Sequence, residues 1–219
     1  MDRAEVAYRA GVSARGRFVS LEGGEGVGKS TQLRALGSAL RDQGLEVIET
    51  REPGGSEGAE AIRALLLEGD ERRWTIEAEA LLFAAARADH VDKTIRPALE
   101  RGAWVLSDRF IDSSLAYQGA AGGIGVERIR AINDFAIGGF LPDRTLVLTL
   151  SEGRARASAR DGDSADRIGG RPEAFHDAVH RAFERLAAQE PERVRLVDAS
   201  GDKVAVTERL LAELSDLLP

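Results

Sequence analysis

A glycine-rich stretch near the start of the sequence has the residue types and spacing of a phosphate-binding loop. The run Gly23-Gly24-Glu25-Gly26-Val27-Gly28-Lys29-Ser30 matches G-x-x-x-x-G-K-[ST] throughout, and Thr31 follows it. Glycines allow backbone N–H groups to converge on a phosphate, and the lysine can reach the β- and γ-phosphates of a nucleotide. The serine hydroxyl is a hard oxygen ligand of the kind that Mg²⁺ prefers. The stretch therefore predicts a nucleoside triphosphate site, with Lys29 as a catalytic cation and Ser30 as a metal ligand.

Charged residues follow two other predicted strands, where parallel sheets usually bind ligands. Thr-Arg-Glu-Pro-Gly-Gly occupies 50–55, after the second predicted strand. Asp108 and Arg109 directly follow the hydrophobic run at 103–107. Asp108 can hold a Mg²⁺-bound water opposite Ser30, although its position also suits a helix N-cap. Arg109 can form paired hydrogen bonds to an acceptor phosphate, and the alternative is a surface ion pair. Both residues are therefore candidates for catalysis.

The hydrophobic pattern predicts the elements that position these residues. Short apolar strands are expected over 17–21, 45–50, 103–107, 145–150 and 194–197. Helices are expected before Gly44, over 57–68, 75–93, 113–121 and 126–137, and at a C-terminal leucine stripe, with a flexible glycine-rich segment over 119–125. Strands that are apolar throughout and separated by helices indicate a parallel sheet covered on both faces. We predict one doubly wound α/β domain over 17–219 and a mobile extension over 1–16.

Together these patches resemble the bacterial thymidylate kinases, which belong to the P-loop nucleoside monophosphate kinases. The resemblance runs from about Arg17 to the C-terminus. It rests on REPGG at 51–55, LFAAAR at 82–87 and DRF…SSLAYQG at 108–119. It implies an α/β P-loop kinase fold with a five-stranded parallel sheet and a mobile lid. It also implies transfer of the γ-phosphoryl group of ATP to dTMP with Mg²⁺, giving dTDP, by a homodimer.

The same resemblance implies roles for individual residues. Phe83, one helical turn before Arg87, stacks on the base while the arginine donates to a base oxygen. Spacing alone favours a core position for Phe83, so its ligand role rests on the resemblance. Ser114 and Gln118 meet the pyrimidine edge, and Tyr117 packs against the sugar, although its residue type also suits simple core packing. Four further residues are implied in the acceptor site: Glu25, Glu52, Arg63 and Arg109.

Residues 151–171 combine many arginines with little apolar content. The arginines are Arg154, Arg156, Arg160, Arg167 and Arg171. A solvated helix end followed by a loop explains this composition, and so does a lid that carries charge to the transferring phosphoryl group. Gly26 stands where some thymidylate kinases carry an arginine, and long loops inside compact domains are usually functional. We therefore predict a lid, with Arg160 and then Arg156 as catalytic cations.

Composition excludes several classes of partner. The 219 residues carry a net charge of −7, which disfavours nonspecific binding to nucleic acid. The absence of cysteine excludes disulfides and thiolate zinc sites and fits a reducing compartment. No apolar run approaches the roughly 18 residues of a membrane helix. His176 and His180 lack a third metal ligand and are expected to be surface residues. A cytoplasmic protein with no nucleic-acid or membrane partner is the expectation.

Two alternatives remain open at this point. One is a kinase that acts on another nucleoside monophosphate or small acceptor. The other is a P-loop switch ATPase, which hydrolyses ATP and requires no acceptor pocket. In that second case Phe83, Arg87, Ser114 and Tyr117 have no joint purpose.

Overall fold

The computed structural model describes residues 15–70, 72–150, 168 and 171–219. Its strands are β1 (Phe18–Gly23), β2 (Val47–Arg51), β3 (Trp104–Asp108), β4 (Arg144–Thr149) and β5 (Val194–Asp198). They form one sheet in the order β2-β3-β1-β4-β5, and every neighbouring pair is parallel. The predicted five-stranded parallel sheet is confirmed.

Helices connect the strands in the described ranges. They are α1 (Lys29–Asp42), α2 (Glu57–Leu67), α3 (Ile76–His90), α4 (Arg96–Glu100), α5 (Ile111–Ser114), α6 (Val126–Ile137), α7 (Glu173–Gln189) and α8 (Lys203–Ala212). Two π-helical segments, π1 (Val91–Ile95) and π2 (Leu115–Ala121), continue α3 and α5. The helical run that begins with α3 thus extends to Glu100, past the end predicted at 93. None of these helices has the length and apolar content of a bilayer span.

The two faces of the sheet are covered by different helices. Alternate strand residues point to opposite faces, so Phe18 and Val19 of β1 enter different cores. The core that contains Phe18 lies under α3, α6 and α7, whereas the core that contains Val19 lies under α1 and α8. Leu210 and Leu214 are fully buried in the second core, which agrees with the predicted leucine stripe.

The expected flexible segment at 119–125 is wrong in its first part. Gly119 lies inside π2 and is buried, and a Cβ atom placed on it would lie 3.3 Å from Val126 Cα and 3.4 Å from Ile129 Cγ1. The glycine allows α6 to approach the backbone of π2 closely. Glycine composition alone does not separate close packing from flexibility.

The register of the sheet brings the predicted site segments to one edge. Leu21 of β1 pairs with Asp108 of β3, and Arg51 of β2 pairs with that same residue. The residues that follow β1, β2 and β3 therefore emerge side by side. Of the predicted extension, residues 1–14 lie outside the described ranges, and the N–H of Gly16 donates to Leu99 O at 3.0 Å.

Candidate active site

The phosphate loop follows β1 and ends at the first turn of α1. Gly23 and Gly28 have φ values of 130° and 88°, which L side chains rarely adopt. A Cβ atom at Gly23 would also lie 2.5 Å from Leu148 O. Because Gly28 is the N-cap, no side chain bonds to the first N–H groups of α1. These N–H groups and the positive end of the helix form a site for an anion.

Lys29 lies beneath this loop and is 5% exposed. Its Nζ donates to Gly24 O at 2.6 Å and to Gly23 O at 3.4 Å. Burial, together with the positive charge of Arg109, lowers the pKa of Lys29 to about 8. The ammonium group is thus held at the loop and lacks much of the hydration that an exposed lysine has, which strengthens its attraction for a phosphate.

Ser30 and Asp108 face each other beside the loop. Ser30 Oγ donates to Asp108 Oδ2 at 2.8 Å, and the exposed Thr31 is the next residue of α1. Two adjacent hard oxygen donors at the phosphate end of the site suit Mg²⁺, so the residues present fit this ion. Asp108 does not cap a helix, since the N-cap of α5 is Phe110.

Arg109 connects the phosphate loop with Tyr117 of π2. Its φ of 71° makes it the one non-glycine residue of the described ranges with positive φ. Its backbone N–H donates to Leu21 O at 2.9 Å, and Nη1 donates to Gly23 O at 3.2 Å. The guanidinium carbon lies 5.1 Å from the centre of the Tyr117 ring. Strained backbone of this kind is concentrated at functional sites, and here it points the arginine at the loop.

Arg87 is the centre of a buried polar network. It is 1% exposed, and its Nε donates to Glu52 Oε2 at 2.8 Å. Nη1 donates to Asn133 Oδ1 at 2.6 Å, and Nη2 donates to Ser114 Oγ at 3.1 Å. The second oxygen of Glu52 lies 3.1 Å from Nδ1 of His90. Glu52 is therefore the counter-ion of Arg87, and its implied place as a lining of the acceptor site stays a prediction.

The Arg87–Ser114 hydrogen bond is one connection between α3 and the segment that follows β3. A second connection, to π2, lies eight residues before Arg87 on α3. Gln118 Nε2 donates to Glu79 Oε1 at 2.9 Å. Phe83 lies between the two connections on α3, is half-buried and packs against the core. These residues form a wall, with Ser114 and Gln118 on one side and Phe83 and Arg87 on the other. Their implied contacts with the base of an acceptor stay a prediction.

Tyr117 and Glu25 link this wall to the phosphate loop. The Tyr117 hydroxyl lies 3.4 Å from Glu25 Oε1, to which it donates, and the buried ring packs edge-on against Phe175 of α7. Burial raises the pKa of Tyr117 to about 12, so the phenol stays neutral. Arg63 Nη1 donates to Pro53 O at 2.7 Å and so fixes the loop after β2.

His176 is less exposed than the sequence suggests. Its side chain is 18% exposed, Nδ1 lies 3.4 Å from Glu25 Oε2, and Nε2 lies 3.1 Å from Arg171 O. His180 is exposed, and its Nε2 lies 3.4 Å from Glu184 Oε1. The described ranges contain no group of three or more possible metal-binding histidine, cysteine or acidic residues.

Some predicted residues cannot be placed, and others were missed. Arg156 and Arg160, together with Arg154 and Arg167, lie outside the described residues, so their roles stay predictions. Sequence reasoning missed Glu79, His90 and Asn133, which contact predicted site residues from inside the protein. Isolated polar residues on helices carry no local signal of burial, so only the packing identifies them.

Glu22, at the end of β1, gives this site a testable pH dependence. It is fully buried, and it accepts hydrogen bonds from Phe110 N at 2.7 Å and from Ser113 Oγ. Burial and the charge of Asp112 raise its pKa from 4.5 to about 8. The folded state therefore holds a proton that the unfolded state releases, and stability is lost as pH rises from 4.5 to about 8.

We expect Glu22→Gln to remove this loss. Relative to the wild type, the free energy of unfolding of the variant should increase between about pH 5 and pH 9. Denaturant unfolding at the two pH values measures it, with the exposed Glu208→Gln as control. A difference between variant and wild type that stays constant with pH contradicts the shifted pKa.

The fold and the site define a class of protein. A parallel sheet with a phosphate loop after β1, a Ser–Asp pair beside it and a polar wall across from it is the arrangement of a P-loop nucleotide kinase. The profile of the thymidylate kinase family matches residues 21–210. The chain belongs to the thymidylate kinase family.

Similar proteins agree with this assignment. A thymidylate kinase of Rhizorhabdus wittichii is 59% identical over 206 residues, which cover 93% of this chain and 99% of the relative. One of Bradyrhizobium diazoefficiens is 47% identical over 211 residues, covering 94% and 92%. The crystal structure of thymidylate kinase from Ehrlichia chaffeensis superposes with a TM-score of 0.75 at 28% identity, covering 91% of this chain and 99% of that one.

Proposed function

We propose that the chain transfers the γ-phosphoryl group of ATP to the 5′-phosphate of dTMP, giving dTDP and ADP. The observation that carries the proposal is the position of Arg109, whose guanidinium contacts both the phosphate loop at Gly23 and the wall at Tyr117. A nucleotide-phosphate site and an acceptor wall are thus adjacent. The family membership and the named relatives support dTMP as the acceptor.

The residues act by positioning and by neutralising charge. An oxygen of the dTMP phosphate attacks the γ-phosphorus, the bond to the β-bridging oxygen breaks, and ADP leaves. The acceptor is already an anion near pH 7, so a general base is not required. The loop N–H groups and Lys29 hold the donor phosphates, and Arg109 binds the acceptor phosphate.

Mg²⁺ belongs to this proposal as the partner of the nucleotide. Ser30 and Asp108 would hold it, the first through its hydroxyl and the second directly or through water. When bound, the ion neutralises charge on the phosphates and orients them. The lid cations Arg160 and Arg156 also belong here, and they would add positive charge near the same phosphates.

A homodimer and a cytoplasmic location complete the proposal. The family resemblance supports the dimer, and so do two apolar side chains on neighbouring helices. Leu81 of α3 is 57% exposed and Phe135 of α6 is 96% exposed. Exposed apolar surface of this kind often marks a contact between proteins. The absence of cysteine supports a reducing compartment.

The test is ADP release with and without an acceptor. We expect release that requires Mg²⁺ and that dTMP stimulates strongly, because the site is built to give the phosphoryl group to a second phosphate. Omitting Mg²⁺ and replacing dTMP by other nucleoside monophosphates are the controls. Equal release with and without any acceptor would support the switch ATPase, and a better acceptor than dTMP would support the other kinase.

A further inference from the structure

Glu79 is a buried carboxylate behind the wall of the acceptor site. It is 0% exposed and lies on α3 four residues before Phe83 and eight before Arg87. Residues four apart lie on one face of a helix, so the three side chains form a row along the wall. A carboxylate without access to water requires hydrogen bonds and a counter-charge.

The counter-charge comes from the other side of the site. Arg171 Nη2 donates to Glu79 Oε2 at 2.7 Å. The guanidinium carbon of Arg171 lies 4.6 Å from the centre of the Phe175 ring, a cation–π contact that helps to hold the arginine in place. Phe175 in turn packs against Tyr117. The ion pair is thus part of the same structure that holds the predicted sugar-binding tyrosine.

The pair determines which end of the Gln118 amide faces the helix. Glu79 Oε1 accepts from Gln118 Nε2 at 2.9 Å, and a carboxylate can only accept. The amide group must therefore turn its NH₂ toward Glu79. The polar atom that remains for other partners is the carbonyl oxygen Oε1, which also only accepts.

This orientation matters because pyrimidines differ in polarity. Thymine and uracil carry an N–H donor at N3, whereas cytosine carries an acceptor there. A carbonyl oxygen from Gln118 suits the first two bases and repels the third. Sites built around a buried hydrogen bond discriminate strongly against a base that cannot form it.

We propose that Glu79, with Arg171 as its counter-ion, is a positioning residue that selects thymine and uracil over cytosine by fixing the orientation of the Gln118 amide. The inference rests on the proposed function, since it assumes that Gln118 meets the base of the acceptor nucleotide. Glu79 itself acts only through Gln118. It deepens the proposed function by assigning base selectivity to a residue outside the contact surface.

The test compares kcat/KM for dTMP, dUMP and dCMP in Glu79→Gln. Arg171 should hold the carbonyl oxygen of the introduced amide, which leaves its NH₂ facing Gln118 and turns that residue around. We expect the dTMP-to-dCMP ratio to fall by about tenfold or more while the dTMP-to-dUMP ratio is unchanged. A ratio within one preparation does not depend on how much of the protein is folded.

Three further variants make the result decisive. The exposed Glu77→Gln, on the same helix, should keep both ratios. The exchange Glu79→Gln with Gln118→Glu again presents an acceptor to the base, so it should recover the dTMP preference, which a purely structural role of the ion pair does not predict. Gln118→Met leaves the ion pair in place and should also lower the dTMP-to-dCMP ratio.

Two results would overturn the inference. One is a dTMP-to-dCMP ratio that stays at the wild-type value in Glu79→Gln or in Gln118→Met. The other is a dTMP-to-dUMP ratio that falls as much as the dTMP-to-dCMP ratio, which indicates general loosening of the site. Failure of the proposed function is seen separately, because the wild-type protein would then not phosphorylate dTMP at all.

Discussion

Lys29→Ala should lose at least about 10³-fold in kcat, because it removes a buried cation that the structure places at the phosphate loop. The phosphate loop should keep its conformation in this variant. Burial already lowers the pKa of this lysine to about 8, so the charged side chain is costly to bury and its removal should not lower the melting temperature much. Steady-state kinetics and thermal unfolding on the same preparation measure both effects.

The matched control for this prediction is Lys93→Ala. Its side chain is 56% exposed and its ammonium group pairs with Asp89 on the surface of the helical run, so kcat should stay near the wild-type value. Lys29→Arg provides a second comparison, because it keeps the charge but not the shape that fits under the loop. Turnover by Lys29→Ala close to that of the wild type would rule out its role in phosphoryl transfer.

Arg87→Met is expected to have the largest effect on stability, a loss of about 3–5 kcal/mol in the free energy of unfolding. The substitution keeps much of the apolar volume but leaves the carboxylate of Glu52 buried without its guanidinium counter-ion. The hydrogen bonds to Asn133 and Ser114 are lost as well. Denaturant unfolding at neutral pH measures the change.

Two comparisons separate charge burial from loss of packing. Arg34→Met changes an exposed arginine on α1 and should alter stability only slightly. Adding Glu52→Gln to Arg87→Met should recover part of the loss, because it removes the unpaired charge. If Arg87→Met were no less stable than Arg34→Met, the network would be of little energetic importance.

Local patterns made the phosphate loop and the sheet predictable from the sequence. A phosphate loop is a contiguous backbone structure, and its glycines and lysine can be recognised without knowing what packs around them. Strands that are buried on both faces contain continuous apolar runs, such as 104–106 in β3 and 146–148 in β4. The carboxyl-end position of Asp108 and Arg109 then follows from the parallel arrangement.

The polar network behind the acceptor wall was not predictable in this way. Glu79 and His90 look like ordinary polar residues on a helix, yet both are 0% exposed. Their burial results from contacts with Gln118 of π2 and with Glu52, which are distant in the sequence. The pattern along one helix contains no information on such contacts, which only the packing of elements creates.

The most direct test of the account is the fate of the γ-phosphate of ATP. With γ-labelled ATP, Mg²⁺ and dTMP, the label should appear in dTDP, and little should appear in inorganic phosphate. Without dTMP, both products should remain low. Label that appears in inorganic phosphate at the same rate with and without dTMP, and never in dTDP, would contradict the assignment of a phosphotransferase.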